Sequence, residues 1–260
     1  MSTTQSVTKD NLQVRIHTSR QALGESAAAD AGRMIRDLLQ HRDSVHIIFA
    51  AAPSQNEFLD ALCREPDIDW RRVRAFHMDE YVGLAPDAPQ RFGNYLDTHI
   101  FGRLPFLSVE YLRPDNPAGT AAECSRYAAL LQRYPADIVC MGIGENGHLA
   151  FNDPHVADFN DPAWVKQVNL DADCRRQQVN DGCFTTLDEV PAYALTLTIP
   201  VLMRAAALFC MVPGRTKAQA VRHTLHDPVS EKVPATCLRL HPHATLYVDT
   251  DSAPAEPLMP

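Results

Sequence analysis

The chain of 260 residues is 45% hydrophobic and 22% charged, enough apolar material for a substantial core. No Ser/Gly-rich linker or charge run divides it, so one domain over residues 1–260 is expected. A formal net charge of −8 and a pI of about 5.7 supply no general attraction for nucleic-acid backbones or anionic membranes, and leave room only for local basic groups that bind one small phosphate.

The start of the chain is polar and lacks the apolar core of a secretory signal, and no run approaches membrane-spanning length, so the expectation is a cytoplasmic protein with no membrane partner. The seven cysteines are scattered, with no Cys-x-x-Cys, which argues against a disulfide framework or a zinc ribbon. Residues 12–16 alternate apolar and polar side chains as a strand with one exposed face. Ser19 then caps a long helix to about Leu39, through Leu23, Ala27, Met34, Ile35 and Leu38. Residues 45–51 read as a strand ending at Pro53-Ser54, and a helix follows from Gln55 through Phe58, Leu59 and Leu62. Ser54 therefore stands at a strand-to-helix junction, where free N–H groups and the helix dipole favour phosphate.

Residues 73–78 are the next strand, with Asp79-Glu80-Tyr81 at its carboxyl end, the edge where open α/β sheets hold ligands. Helices are expected over 92–101 and 120–133, then a short buried strand over 136–140. Residues 154–165 are polar and punctuated by proline, so they form either a lid or a plain surface loop. Strands follow over 193–199, 207–212 and 244–248, with a second strand-to-helix turn at Pro213-Gly214-Arg215-Thr216-Lys217, a helix to His226, and a frayed Pro-rich tail from Ala253. This alternation argues for a parallel sheet covered on both faces.

The chemistry concentrates after the strand at 136–140. Gly142, Gly144 and Gly147 let backbone approach a ligand, and among them stand Glu145, Asn146, His148, Asn152 and Asp153. Gly-Asn-Gly and Asp-Pro are also ordinary turn signals, and Asp79-Glu80 could be a solvated turn with a capping aspartate. What favours a site is convergence. In a parallel sheet the ends carrying Asp79 with Glu80, the glycine loop, and Arg215 with Lys217 share one edge, bringing proton-transfer groups beside an anion site. No acidic or cysteine ligand stands at metal spacing beside the remaining histidines, so no metal is expected.

Met78-Asp79-Glu80-Tyr81-Val82-Gly83-Leu84, followed by Gly142-x-Gly144-x-Asn146-Gly147-His148-x-Ala150-Phe151-Asn152-x-Pro154, closely resembles the glucosamine-6-phosphate deaminase/isomerase family, which is related to the 6-phosphogluconolactonases. The resemblance extends through Val190-Pro191-x-Tyr193-Ala194-Leu195-Thr196 and Gly214-x-x-Lys217-Ala218. It implies a three-layer α/β/α Rossmann-like domain with a mostly parallel central sheet. It also implies an enzyme that opens the ring of an aminosugar 6-phosphate, moves a proton between C2 and C1, and releases ammonia and fructose 6-phosphate without metal or redox cofactor.

By motif position Asp79 is then the proton-shuttling base, with Glu80 beside it. His148 assists ring opening, set by Asn146 and Asp153, while Gly144 and Gly147 let the sugar come close. Lys217 with Ser54 and Gln55 holds the phosphate, and Arg175, with Arg176 adjoining, lies near the place where the family commonly supplies a further basic residue after its lid. Relatives occur as monomers and larger assemblies, and a homo-oligomer is expected here.

Two departures stand out. The family's deaminases carry aspartate where this chain has Asn146 and glutamate where it has Asp153, and a Gly-Gly-Thr-Pro-like turn where it has Ala52-Pro53-Ser54-Gln55. They motivate a catalytically impaired sugar-phosphate sensor as one alternative expectation, and the fold shared with the lactonases keeps a lactonase-like hydrolase as the other.

Overall fold

The computed structural model describes residues 3–254, so the tail beyond Pro254 lies outside it. The chain opens with β1 (Thr3–Lys9) and β2 (Leu12–His17), an antiparallel hairpin turning through Asp10 at φ 53. The polar start thus forms a strand where the sequence suggested none. Ladder hydrogen bonds need only backbone, and polar side chains suit a sheet edge.

Next come α1 (Arg20–His41), capped by Ser19, then β3 (Val45–Phe49), α2 (Asn56–Leu62), β4 (Val73–His77) and β5 (Asp79–Val82). They are followed by α3 (Phe92–Leu96), which runs on through a wider turn to Phe101, and by β6 (Ser108–Glu110), α4 (Thr120–Arg133) and β7 (Ile138–Met141). The last part holds β8 (Val165–Asn169), α5 (Ala172–Asn180), β9 (Tyr193–Leu197), the short α6 (Ile199–Leu202), β10 (Ala207–Val212), α7 (Ala218–His226) and β11 (Ala244–Asp249).

The main sheet has the order β1-β2-β11-β10-β7-β3-β4-β6, and every pairing but β1 with β2 is parallel. Strict alternation divides its side chains between two cores. On one face Ile47, Phe49, Cys140, Phe209 and Tyr247 pack with Leu23, Ala27, Ala31 and Ile35 of α1. On the other, Ile48, Val139, Cys210 and Val248 pack with Tyr127 and Leu131 of α4 and Val221 and Leu225 of α7. These are the three α/β/α layers, and continuous apolar runs such as Ala207–Val212 are what burial on both faces requires.

One sequence expectation is corrected. The stretch 193–199 does not join the main sheet; β9 lies between β5 and β8 in a separate three-stranded antiparallel sheet. The chain therefore breaks at Met78 between β4 of one sheet and β5 of the other, and Met78 O accepts Leu197 N at 2.8 Å. Alternation shows which side chains are buried but carries no information about which strand supplies the partner. Asp79 pairs with Thr196 at that break, above the carboxyl edge of the main sheet.

Candidate active site

A cleft opens at this edge, between the ends of β3, β4, β7 and β10 and beneath α5 and the turn after it. Ser54, Gln55, Asp79, Gly144, His148 and Lys217 all line it. The convergence expected from strand order is therefore present.

At one end, residues 53–55 make a tight helical turn. Gln55 is buried, and its amide donates to Ser54 Oγ at 3.0 Å and to Met211 O at 3.1 Å. The Ser54 hydroxyl, accepting there, keeps its own proton for a ligand, while Gln55 acts as its support. The facing turn is set by Gly214 at φ +93, whose N–H donates to both oxygens of Asp249 at 3.1 Å. Lys217 leaves this turn only 4% exposed, and its ammonium makes no hydrogen bond or ion pair among the described residues. Burial pulls its pKa down, opposed by Asp181 and Glu145. A desolvated ammonium with no acceptor is one an anion can pair with. Arg20 braces the same end, bonding Glu57 and Pro53 O.

The proton-handling groups stand apart from it. Asp79 is buried, and its carboxylate takes no hydrogen bond among the described residues. Burial, with the Glu80 charge adding to it, raises its pKa well above the ordinary range, a direction that suits a group asked both to accept and to return a proton. Glu80 does not line the cleft. Its carboxylate accepts Tyr81 N at 2.9 Å and Phe92 N and Gly93 N at 3.0 Å, pinning α3 to β5. Burial lifts it to about 7 in spite of those donors. The expectation that Glu80 works on substrate is corrected to a positioning role, because all three N–H groups draw it away from the cleft.

His148 Nδ1 lies 2.7 Å from Asn146 Oδ1 and 3.0 Å from Asp153 Oδ1, and Asn146 Nδ2 donates to Asp153 Oδ1 at 2.9 Å. Since an amide oxygen and a carboxylate only accept, Nδ1 carries the proton and Nε2 keeps its lone pair. Burial alone would raise the Asp153 pKa; the field of His148 and hydrogen bonding from His148 and Asn146 outweigh it and hold it below the ordinary value. Asn152 ties the loop down, donating to Leu149 O and Leu197 O at 2.8 Å.

The glycines have other duties than expected. A Cβ on Gly144 would stand 2.1 to 2.4 Å from the ring atoms of His148, so Gly144 makes room for the imidazole itself. Gly147, at φ +84, lies off the cleft, where a side chain would strike Val233. Residues 154–165 are the surface-loop alternative, since none of them lines the cleft. The cover is instead α5 and its following turn, which contribute Gln177, Gln178, Asp181 and Cys183. Gln177 Oε1 accepts Glu145 N at 2.7 Å, and Gln178 Oε1 accepts Tyr81 OH at 2.7 Å, so the cover is latched to both halves of the site.

Arg175 belongs to this cover but does not reach the cleft. Its guanidinium donates to Leu187 O at 2.6 Å and to Val190 O at 2.9 Å, so the expected phosphate contact is corrected to a brace within the lid. The sequence reading missed α5 because its buried residues, Cys174, Gln177 and Gln178, form no apolar stripe. The available signal was Asp171, whose side chain caps the helix through Cys174 N.

A family model described as glucosamine-6-phosphate isomerases/6-phosphogluconolactonase matches residues 18–247. The chain belongs to this family. Among curated relatives, the glucosamine-6-phosphate deaminase of Bacillus velezensis is 34% identical over 192 residues, 73% of this chain and 78% of its own. That of Listeria innocua is 34% identical over 210 residues, 80% of this chain and 87% of its own. Among solved structures, one described as a monomeric glucosamine-6-phosphate deaminase superposes with a TM-score of 0.83 at 26% identity, covering 92% of this chain and 98% of that one. A 6-phosphogluconolactonase from Thermotoga maritima shares the fold, with a TM-score of 0.74 at 18% identity over 91% of this chain and 99% of its own. The Rossmann-like α/β/α architecture is thus common to this chain and its neighbours, and no helix among the described residues is long and apolar enough to cross a membrane.

Proposed function

We propose that this protein is a glucosamine-6-phosphate deaminase, an enzyme that converts the aminosugar phosphate and water to fructose 6-phosphate and ammonia, acting as one domain. The observation that carries this reading is the division of labour in the cleft. An unpaired carboxylate with a raised pKa at Asp79 and an imidazole with a free Nε2 at His148 work separately, beside one unpaired ammonium at Lys217. Lactone hydrolysis needs water activated at one carbonyl; transfer between adjacent carbons needs a second proton carrier, and Asp79 supplies it.

The 6-phosphate seats against Lys217 and the Ser54 hydroxyl. His148 Nε2 takes the proton of the C1 hydroxyl and returns it to the ring oxygen, and the C1–O5 bond breaks to leave the open aldehyde. The charge formed on the imidazole during that transfer is met by Asp153. Asp79 then removes the C2 proton while the substrate's own ammonium group gives a proton to O1, leaving the neutral enolamine, and delivers the C2 proton to C1, giving the C2 iminium. Water adds at C2, ammonia leaves, and the ketose remains. No metal or redox cofactor is part of this sequence of steps. Every group in it comes from one chain, so activity is proposed to persist on dilution whether or not the protein forms the expected homo-oligomer.

The test is to incubate the purified protein with glucosamine 6-phosphate and assay ammonia and fructose 6-phosphate together. Both should appear in equal amounts. Hydrolysis of 6-phosphogluconolactone with no ammonia from the aminosugar would replace this reading with the lactonase one, and tight substrate binding without turnover would replace it with the sensor.

A further inference from the structure

Behind the cleft, the lid and the glycine loop meet at three buried residues the reaction does not need as a set. The ligand-type atoms of His148, Asp153 and Cys174 all lie within 4.8 Å of one another. Asp153 is 0% exposed, and while its Oδ1 is held by His148 and Asn146, its Oδ2 completes no hydrogen bond. What α5 brings to that carboxylate is the Cys174 thiol, a weak donor and a strong soft-metal ligand once deprotonated.

We propose that His148, Asp153 and Cys174 bind a thiophilic divalent cation of the zinc and cadmium class, and that the bound ion arrests the protein by tying the lid helix to the histidine of the glycine loop. One nitrogen, one oxygen and one sulfur ligand are a donor set such ions accept. Metal–ligand bonds of about 2.0 to 2.3 Å put ligand atoms roughly 3.3 to 3.8 Å apart on a tetrahedral ion. The present spacing needs only small side-chain adjustments to reach that.

The charges balance as well. The cation displaces the Nδ1 proton and the thiol proton to solvent, and its two positive charges meet one thiolate and one carboxylate. Burial pushes the free thiol pKa far up, with the Asp153 charge adding to it, so the thiolate forms only with the ion. With Nδ1 occupied, the neutral ring carries its one proton on Nε2, and the cleft loses its proton acceptor. Only this arrest rests on the proposed reaction; the binding itself does not.

The experiment titrates the full chain with Cd²⁺, following the ultraviolet absorption of cadmium–thiolate bonds and counting ions bound by equilibrium dialysis. One tight ion per chain is expected, with slowed amide hydrogen exchange in α5. Cys174→Ser should lose the absorption band and weaken binding at least about tenfold, since even an outer partner is worth that much. Asp153→Asn should weaken it while keeping the band at saturation. Cys183→Ser, at a thiol that does border the cleft, should keep both band and affinity. An undiminished band in Cys174→Ser, or no tight ion on the unaltered chain, would overturn the site. For the arrest, Zn²⁺ should lower kcat with KM held and be reversed by a chelator. A chain that binds Cd²⁺ through Cys174 but never releases ammonia would uphold the site and remove the deaminase reading.

Discussion

Two buried aspartates flank the cleft, and the regions around them have made opposite acids of one side chain. At the break between β4 and β5, Asp79 has no hydrogen-bond donor and a like charge next in sequence, and its pKa is driven well up. In the glycine loop Asp153 is buried too, yet donors from His148 and Asn146 hold its pKa down. Burial alone therefore does not set the role; the donors around the carboxylate help decide it. One is left able to carry a proton, and the other is fixed as a permanent counter-charge.

The sharpest way to break this comparison is Asp79→Asn. Loss of the shuttling carboxylate should lower kcat about 10²- to 10⁴-fold, the usual worth of a positioned acid/base, with KM little changed. The melting temperature should hold or rise, because an unpaired buried charge is removed. In the unaltered protein, activity should fall with decreasing pH at a point above the ordinary carboxylate value near ~4, as Asp79 takes up its proton. Turnover undiminished in the variant would remove Asp79 as the base.

Asn146→Asp acts on the other side and should have an intermediate effect. It exchanges an amide that donates to Asp153 Oδ1 at 2.9 Å for a second carboxylate at the same place. Two such charges cannot both ionise freely, so one pKa of the pair rises and the fold loses stability as pH climbs, by roughly 1.4 kcal/mol for each unit of that rise. Turnover should fall with it. A variant that melts as before and turns over faster would show that the loop tolerates the aspartate of its relatives and that Asn146 is a handicap.

Glu80→Gln should give the smallest change in turnover, and its effect should be seen in the pH dependence of stability. The Glu80 pKa is raised from 4.5 to about 7 on folding, so between those values the folded chain binds more protons than the unfolded one. This contribution is fully present below the unfolded pKa and disappears as pH rises through about 7. Stability should fall less steeply with pH over this window in the variant, by about 1.4 kcal/mol for each unit between the two values. An unchanged slope would show that Glu80 is not the group responsible.

Much of the site was legible because its members sit at strand ends in named motifs. Asp79, His148, Lys217 and Ser54 reach one cleft as strand order implied, and Asn146 and Asp153 stand behind His148. Glu80 and Arg175 were misassigned for one reason. Residue type and position do not reveal that backbone groups, the N–H of Phe92 and Gly93 or the carbonyls of Leu187 and Val190, hold those side chains elsewhere. The lid helix was missed because glutamines face inward along it, and polar residues buried by specific partners leave no hydrophobic period to read.

By itself the sequence determined the layered α/β architecture, since apolar runs and helical spacings are local properties that packing must respect, and it determined which loops carry proton-handling groups. Only the tertiary structure decided that β5 leaves the main sheet for an antiparallel one, that Gly144 yields space to an imidazole, and which aspartate is free to carry a proton. Each of those rests on atoms from segments far apart in the chain, and a carboxylate's acidity depends on neighbours that folding alone brings to it.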